Sequence, residues 1–105
     1  MSQAVSSVAN NGMSVMTLSR DLLIVNKRGL HARASAKFVQ TVEAYDAEIR
    51  VSKDGMTVGG TSIMGLMMLA ASTGCSVSVT SSGRQAQEAL DALDALVADK
   101  FGEEI

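Results

Sequence analysis

The chain predicts an open-faced two-layer α+β sandwich, a four-stranded antiparallel sheet covered on one face by three helices (βαββαβα). Three observations lead there. Apolar residues switch between a two-residue and a three-to-four-residue repeat along the chain, which separates strands from amphipathic helices. The pair Asp54-Gly55 between two short alternating runs is a tight hairpin signal, so at least part of the sheet is antiparallel. The 47% hydrophobic share is mostly Ala, Val, Leu and Met, with two Phe and one Tyr, which suits two packed layers better than an aromatic-centred barrel.

Residues 1–16, rich in Ser, Ala and Asn and without a sustained period, read as a mobile tail, with Met13 or Met16 as alternative starts; residues 17–105 form the domain. The run from Thr17 to Val25 suits a buried strand, and Asn26 to Leu30 a loop in which Gly29 supplies backbone freedom. From His31 to about Ala44 the pattern is helical: Phe38, Val39, Val42 and Tyr45, with Ala32 and Ser35, share one face. Glu48 to Ser52 alternates as a half-exposed strand, and Met56 to Val58 returns from the hairpin until Gly59-Gly60. Ser62 is a suitable N-cap for a short helix from Ile63 to about Ala70, although Gly65 weakens it. Cys75 to Thr80 alternates as a fourth strand. After Ser82-Gly83 the chain reads as helix to Phe101, with Ala86, Leu90, Leu93 and Val97 on one face and Gly102 as the stop.

At 105 residues this is one domain, without internal repeats. A net charge of −2 and the lack of stacking rings argue against nucleic acid. The single cysteine, Cys75, excludes an intrachain disulfide and favours a cytoplasmic setting. No apolar run reaches the ~20 residues that span a bilayer, and no secretory signal pattern opens the chain. The expectation is a cytoplasmic monomer with no membrane association and no cofactor.

Chemistry concentrates in Asn26-Lys27-Arg28-Gly29-Leu30-His31-Ala32-Arg33. It holds the one histidine, at the junction of a strand and a helix pattern. Lys27, Arg28, Arg33 and Lys37 crowd around it, and no Asp or Glu occurs from Leu22 to Val42. The free N–H groups and dipole of a helix start favour an anion. Arg33 adds a planar donor fork suited to phosphate oxygens. An imidazole nitrogen is a competent nucleophile near neutrality, and phosphoryl transfer asks mainly for positioning and charge neutralisation. A lone surface histidine among ordinary basic residues would leave the same pattern, so spacing alone leaves both readings open.

The residues themselves decide further. Gly29-Leu30-His31-Ala32-Arg33, followed by small residues, with Ser62-Ile63-Met64-Gly65 later, resembles HPr, the histidine phosphocarrier of the phosphoenolpyruvate-dependent phosphotransferase system. The likeness runs from about Leu18 to Phe101. The Lys100-Phe101-Gly102-Glu103-Glu104 end and the Tyr45-Asp46-Ala47-Glu48 segment look more like the nitrogen-related branch, NPr. The resemblance implies a relay rather than a stand-alone enzyme. His31 would accept a phosphoryl group on Nδ1 from phosphorylated Enzyme I and pass it to an EIIA-type protein, with Arg33 as the active-site arginine. Ala34 departs from the family, which usually has proline there; alanine is compatible with the same helix.

Ser62 is the regulatory candidate, because in some HPr lineages the serine at this motif position is phosphorylated by a dedicated HPr kinase. Such a phosphate would gain from the helix start and place negative charge beside the docking surface, slowing phosphorylation of His31. The helix after Ser62 holds more apolar residues than one short helix can bury. Leu66, Leu69 and Ala70 suit the core, leaving Ile63, Met64 and Met67 outward near His31 as a partner-docking surface. Cys75 reads as a small buried side chain. The acidic end (Glu88, Asp91, Asp94, Asp99, Glu103, Glu104) reads as a solvated face. The rival from another class is a phosphorylation-state-dependent regulatory module that binds proteins in a nitrogen-type phosphotransferase system. A metal or hydrolytic site is disfavoured, since His31 and Cys75 have no usual ligand spacing.

Overall fold

The computed structural model describes residues 17–103. The expectation of a tail over residues 1–16 falls outside them. The elements are β1 (Thr17–Leu23), α1 (Ala32–Glu43), β2 (Glu48–Lys53), β3 (Met56–Gly59), α2 (Ile63–Met68), β4 (Ser76–Ser82) and α3 (Ala86–Ala98), closed by a 3₁₀ turn, Lys100–Gly102. The sheet order is β1-β4-β2-β3, with every neighbouring pair antiparallel. The open-faced sandwich and its element order are those that the periodicity predicts. No helix among the described residues is long and apolar enough to cross a membrane.

Alternation along the strands makes the layers. Leu22 of β1, Ile49 and Val51 of β2, and Val77 and Val79 of β4 are buried under the helices, while Thr17, Ser19, Asp21, Leu23 and Ser76 stay exposed on the bare face. Phe38, Val39 and Val42 of α1, Leu66 of α2, and Leu90, Leu93 and Val97 of α3 complete one core. Arg20, on the inward side of β1, reaches out to Asp94 at 2.8 Å and Asp91 at 3.0 Å, so part of the acidic α3 face is paired rather than merely solvated. Asp54 and Gly55 both take positive φ, 51° and 84°, the geometry of a type I′ hairpin turn.

The packing corrects several assignments. Ala32 is exposed, and Ala34, fully buried, takes its place on the inner face of α1. The helix starts regularly at Ala32 without the family's proline, as alanine's compatibility predicts. Ala70 is exposed with φ 53°, because α2 ends at Met68 and the chain turns left-handed there. Cys75 is half-buried and lies just before β4, its Sγ 3.5 Å from Ser72 Oγ. Those bonds from Ser72, with help from Lys53, hold the thiol below its ordinary pKa. The final helix stops at Ala98, three residues earlier than Phe101, since Lys100 and Phe101 adopt left-handed φ of 58° and 56° that no α-helix accommodates.

Candidate functional site

The loop between β1 and α1 brings His31 to the helix start. Asn26 is wholly buried, and its Nδ2 donates to the Gly29 carbonyl at 2.9 Å, fastening the turn. Gly29 takes φ +66° and lies against the chain that leaves α2; a Cβ there would stand 2.3 Å from the Ala71 oxygen. The next N–H, of Leu30, donates to that oxygen at 2.9 Å. Ser35 Oγ, also buried, donates back to the Leu30 carbonyl at 3.2 Å. The glycine is thus required both by its backbone angle and by a close approach.

His31 is the N-cap of α1, with extended backbone (φ −74°, ψ −178°); its carbonyl accepts from Ser35 N–H at 2.9 Å and its side chain caps nothing. The first-turn amides of α1 therefore end in open positive dipole, without an acidic side chain in that turn. The ring is half-buried at one wall of a shallow depression of about 300 Å³ shared with Arg28, Leu30, Met67, Ala70, Ala71 and Ser72. Arg33 is exposed on the first turn and makes no side-chain hydrogen bond among the described residues. A second depression, about 280 Å³, lies at the hairpin end beside Asp21, Lys53, Asp54 and Ser76, away from the histidine.

The structure adds a partner that no sequence pattern announced. Glu103, assigned to a solvated face, is folded back with only 7% of its side chain exposed, and its Oε2 lies 2.5 Å from His31 Nε2. Asn26 Nδ2 donates to the other carboxylate oxygen at 3.1 Å. Burial pushes the Glu103 carboxyl up, but the hydrogen bonds from His31 and Asn26 and the electrostatic interactions with His31 and the Arg28 guanidinium outweigh it, leaving it below the usual carboxylate range. Asn26 and Glu103 stand 77 positions apart, so nothing local in the sequence could pair them.

Ser62 and the outward residues of α2 stand where the pattern predicts. Ser62 is the N-cap of α2, its Oγ accepting from Gly65 N–H at 2.9 Å. Ile63 is 40% exposed, Met64 71% and Met67 40%, while Leu66 and Leu69 are buried. Met67 borders the same depression as His31. Met68, 64% exposed, belongs to the same apolar outer side, and its place in an over-apolar short helix was the available signal. No cluster of three or more His, Cys, Asp or Glu side chains that could hold a metal occurs among the described residues.

The comparison with known proteins is decisive at this point. A family model described as the PTS HPr component phosphorylation site matches residues 18–99. The chain belongs to the HPr family. It is 50% identical to the phosphocarrier protein HPr of Cupriavidus necator over 86 residues, covering 82% of this chain and 97% of that one. It is 40% identical to the phosphocarrier protein NPr of Shewanella violacea over 86 residues, 82% of this chain and 94% of the relative. The crystal structure of HPr-C-His from Thermoanaerobacter tengcongensis superimposes with a TM-score of 0.75 at 43% identity, covering 89% of this chain and all of the other. The HPr resemblance read from the two motifs is therefore correct, and the chain is a phosphocarrier of the phosphotransferase system.

Proposed function

We propose that His31 is the phosphoryl acceptor, charged on Nδ1 by phosphorylated Enzyme I and discharged to a histidine of an EIIA-type protein in the cytoplasm. The observation that carries this reading is the position of the ring: half-buried at the open start of α1, in a basic stretch, next to the exposed apolar side of α2. The first-turn amides and the Arg33 guanidinium favour the phosphoryl oxygens. Ile63, Met64 and Met67 form the docking surface, where flexible methionines fit more than one partner in turn. Ser62 is the regulatory position. A phosphate on its Oγ keeps a helix-start N–H partner and sets negative charge at the edge of the surface that Enzyme I must approach.

Incubation with Enzyme I and phosphoenolpyruvate tests the relay. The expected product carries one acid-labile, base-stable phosphate, and His31→Ala carries none. Absence of transfer from an active Enzyme I overturns the reading. For Ser62 the expected modification is ATP-dependent and acid-stable, is abolished in Ser62→Ala, and slows charging of His31; an unchanged charging rate refutes the inhibitory role.

A further inference from the structure

Methionine is kept out of the core of this protein. Leu, Ile, Val, Ala and Phe fill that core, and no methionine among the described residues belongs to it. The four methionines of the described residues, Met56, Met64, Met67 and Met68, all lie at the surface, three of them on α2. Spacings of three and four residues set Met64, Met67 and Met68 on one side of that helix, opposite the buried Leu66. Met64 and Met68 are the more exposed, well above Met56 of β3 at 42%. Met67 borders the depression that holds the His31 ring. Hydroperoxides convert a methionine thioether, a flexible apolar group, into a polar sulfoxide, and the change is reversible. The helix itself depends on other residues: Ser62 caps it, and Leu66 and Leu69 anchor it in the core. Oxygen added to these three sulfurs therefore alters the surface without removing a core contact.

We propose that Met64, Met67 and Met68 form an oxidation site: a hydroperoxide converts them to sulfoxides, which slows charging of His31, and reduction restores it. This rests on the outer side of α2 being the surface that Enzyme I covers. With hydrogen peroxide as the oxidant, the step balances. A sulfur lone pair attacks one peroxide oxygen, and the O–O bond breaks with its electron pair leaving on the other. The proton of the transferred oxygen passes to the departing hydroxide, which leaves as water. Sulfur loses two electrons and the peroxide gains two. Each new sulfoxide oxygen is a hydrogen-bond acceptor that an apolar partner surface strips of water without replacing the bond. At Met67 that oxygen stands at the wall of the acceptor's own depression. Cys75, the other oxidisable sulfur among the described residues, lies beyond the end of α2, half-buried and in contact with Ser72.

The test uses the full chain carrying Cys75→Ser, treated with hydrogen peroxide that catalase removes before Enzyme I and phosphoenolpyruvate are added. Peptide masses are expected to show one added oxygen on Met64 and on Met68 ahead of Met56. Once Met67 is also oxidised, the rate of charging should fall roughly fivefold or more, as when well-packed interface contacts are lost. The melting temperature should stay within a few degrees of the untreated chain, which separates a surface effect from unfolding. Methionine sulfoxide reductases for both sulfoxide epimers should return the rate together with the thioethers. A variant combining Met64→Leu, Met67→Leu and Met68→Leu, compared only with its own untreated form, should show no loss on peroxide treatment. Complete oxidation of the three residues without a loss of rate overturns the proposal, as does a loss that persists in the leucine variant. Untreated Met64→Lys distinguishes this from failure of the docking reading. Slow charging there upholds the docking surface, whereas charging at the parent rate overturns that surface and the proposal with it. An untreated parent that takes no phosphate overturns the carrier reading as well.

Discussion

Leu30 donates its main-chain N–H to the carbonyl of Ala71 at 2.9 Å, which ties the loop carrying His31 to the segment leaving α2. Through that one bond the proposed acceptor and the proposed docking helix share a scaffold. Gly29 makes the approach possible, so Gly29→Ala faces both a left-handed φ and a clash with backbone at 2.3 Å. It is expected to lower unfolding stability by at least about 2 kcal/mol, read by urea denaturation, and to slow charging of His31 because the loop must shift.

The two sides of α2 are expected to respond oppositely. Leu66→Ala removes a side chain with no exposed surface and should cost about 2–5 kcal/mol. Met64→Lys, at a position 71% exposed, should leave the melting temperature within a few degrees of the parent while weakening the interaction with Enzyme I. Titration of labelled protein with Enzyme I, alongside thermal melts, measures both. Equal effects on stability would contradict the division.

Ser62→Ala deletes the acceptor for Gly65 N–H and should cost about 1 kcal/mol. The same variant should still be charged on His31, because the capping serine and the acceptor histidine belong to different helix starts. Chemical denaturation and an Enzyme I assay on one preparation check the two halves of this expectation.

Glu103 carries a pH signature. Burial works to raise its pKa, but the His31 and Asn26 hydrogen bonds and the nearby charges lower it more, so its folded value lies below its unfolded one. A depressed acid stabilises the fold fully above the unfolded carboxylate value, and that contribution disappears as pH falls through the folded value. The stability difference between the parent and Glu103→Gln should therefore close on acidification below the ordinary carboxylate range. Denaturation curves at a series of pH values would contradict this if the gap widened instead.

Most elements were legible because their signals are local. The alternation of Glu48 to Ser52, the positive-φ pair Asp54-Gly55 and the capping role of Ser62 each depend on a few neighbouring residues. The errors arose where a residue's fate depends on something distant. Ala32 and Ala34 are chemically identical and two positions apart, and only the precise start of α1 decides which one faces Phe38 and the core. Ala70 looked like a core residue until the chain turned away after Met68.

The amino-acid order by itself determined the sandwich, its element sequence, the basic stretch around His31 and the apolar excess of the helix after Ser62, because periodicity, turn chemistry and two short motifs are written along the chain. Tertiary structure alone decided what His31 touches. A carboxylate 72 positions away reaches Nε2 only because Phe101 is pinned in the core and Lys37 and Asn26 hold the last turn over α1. Long-range pairing of that kind has no sequence period, since it is set by where two packed layers bring the chain end, not by the residues that flank it.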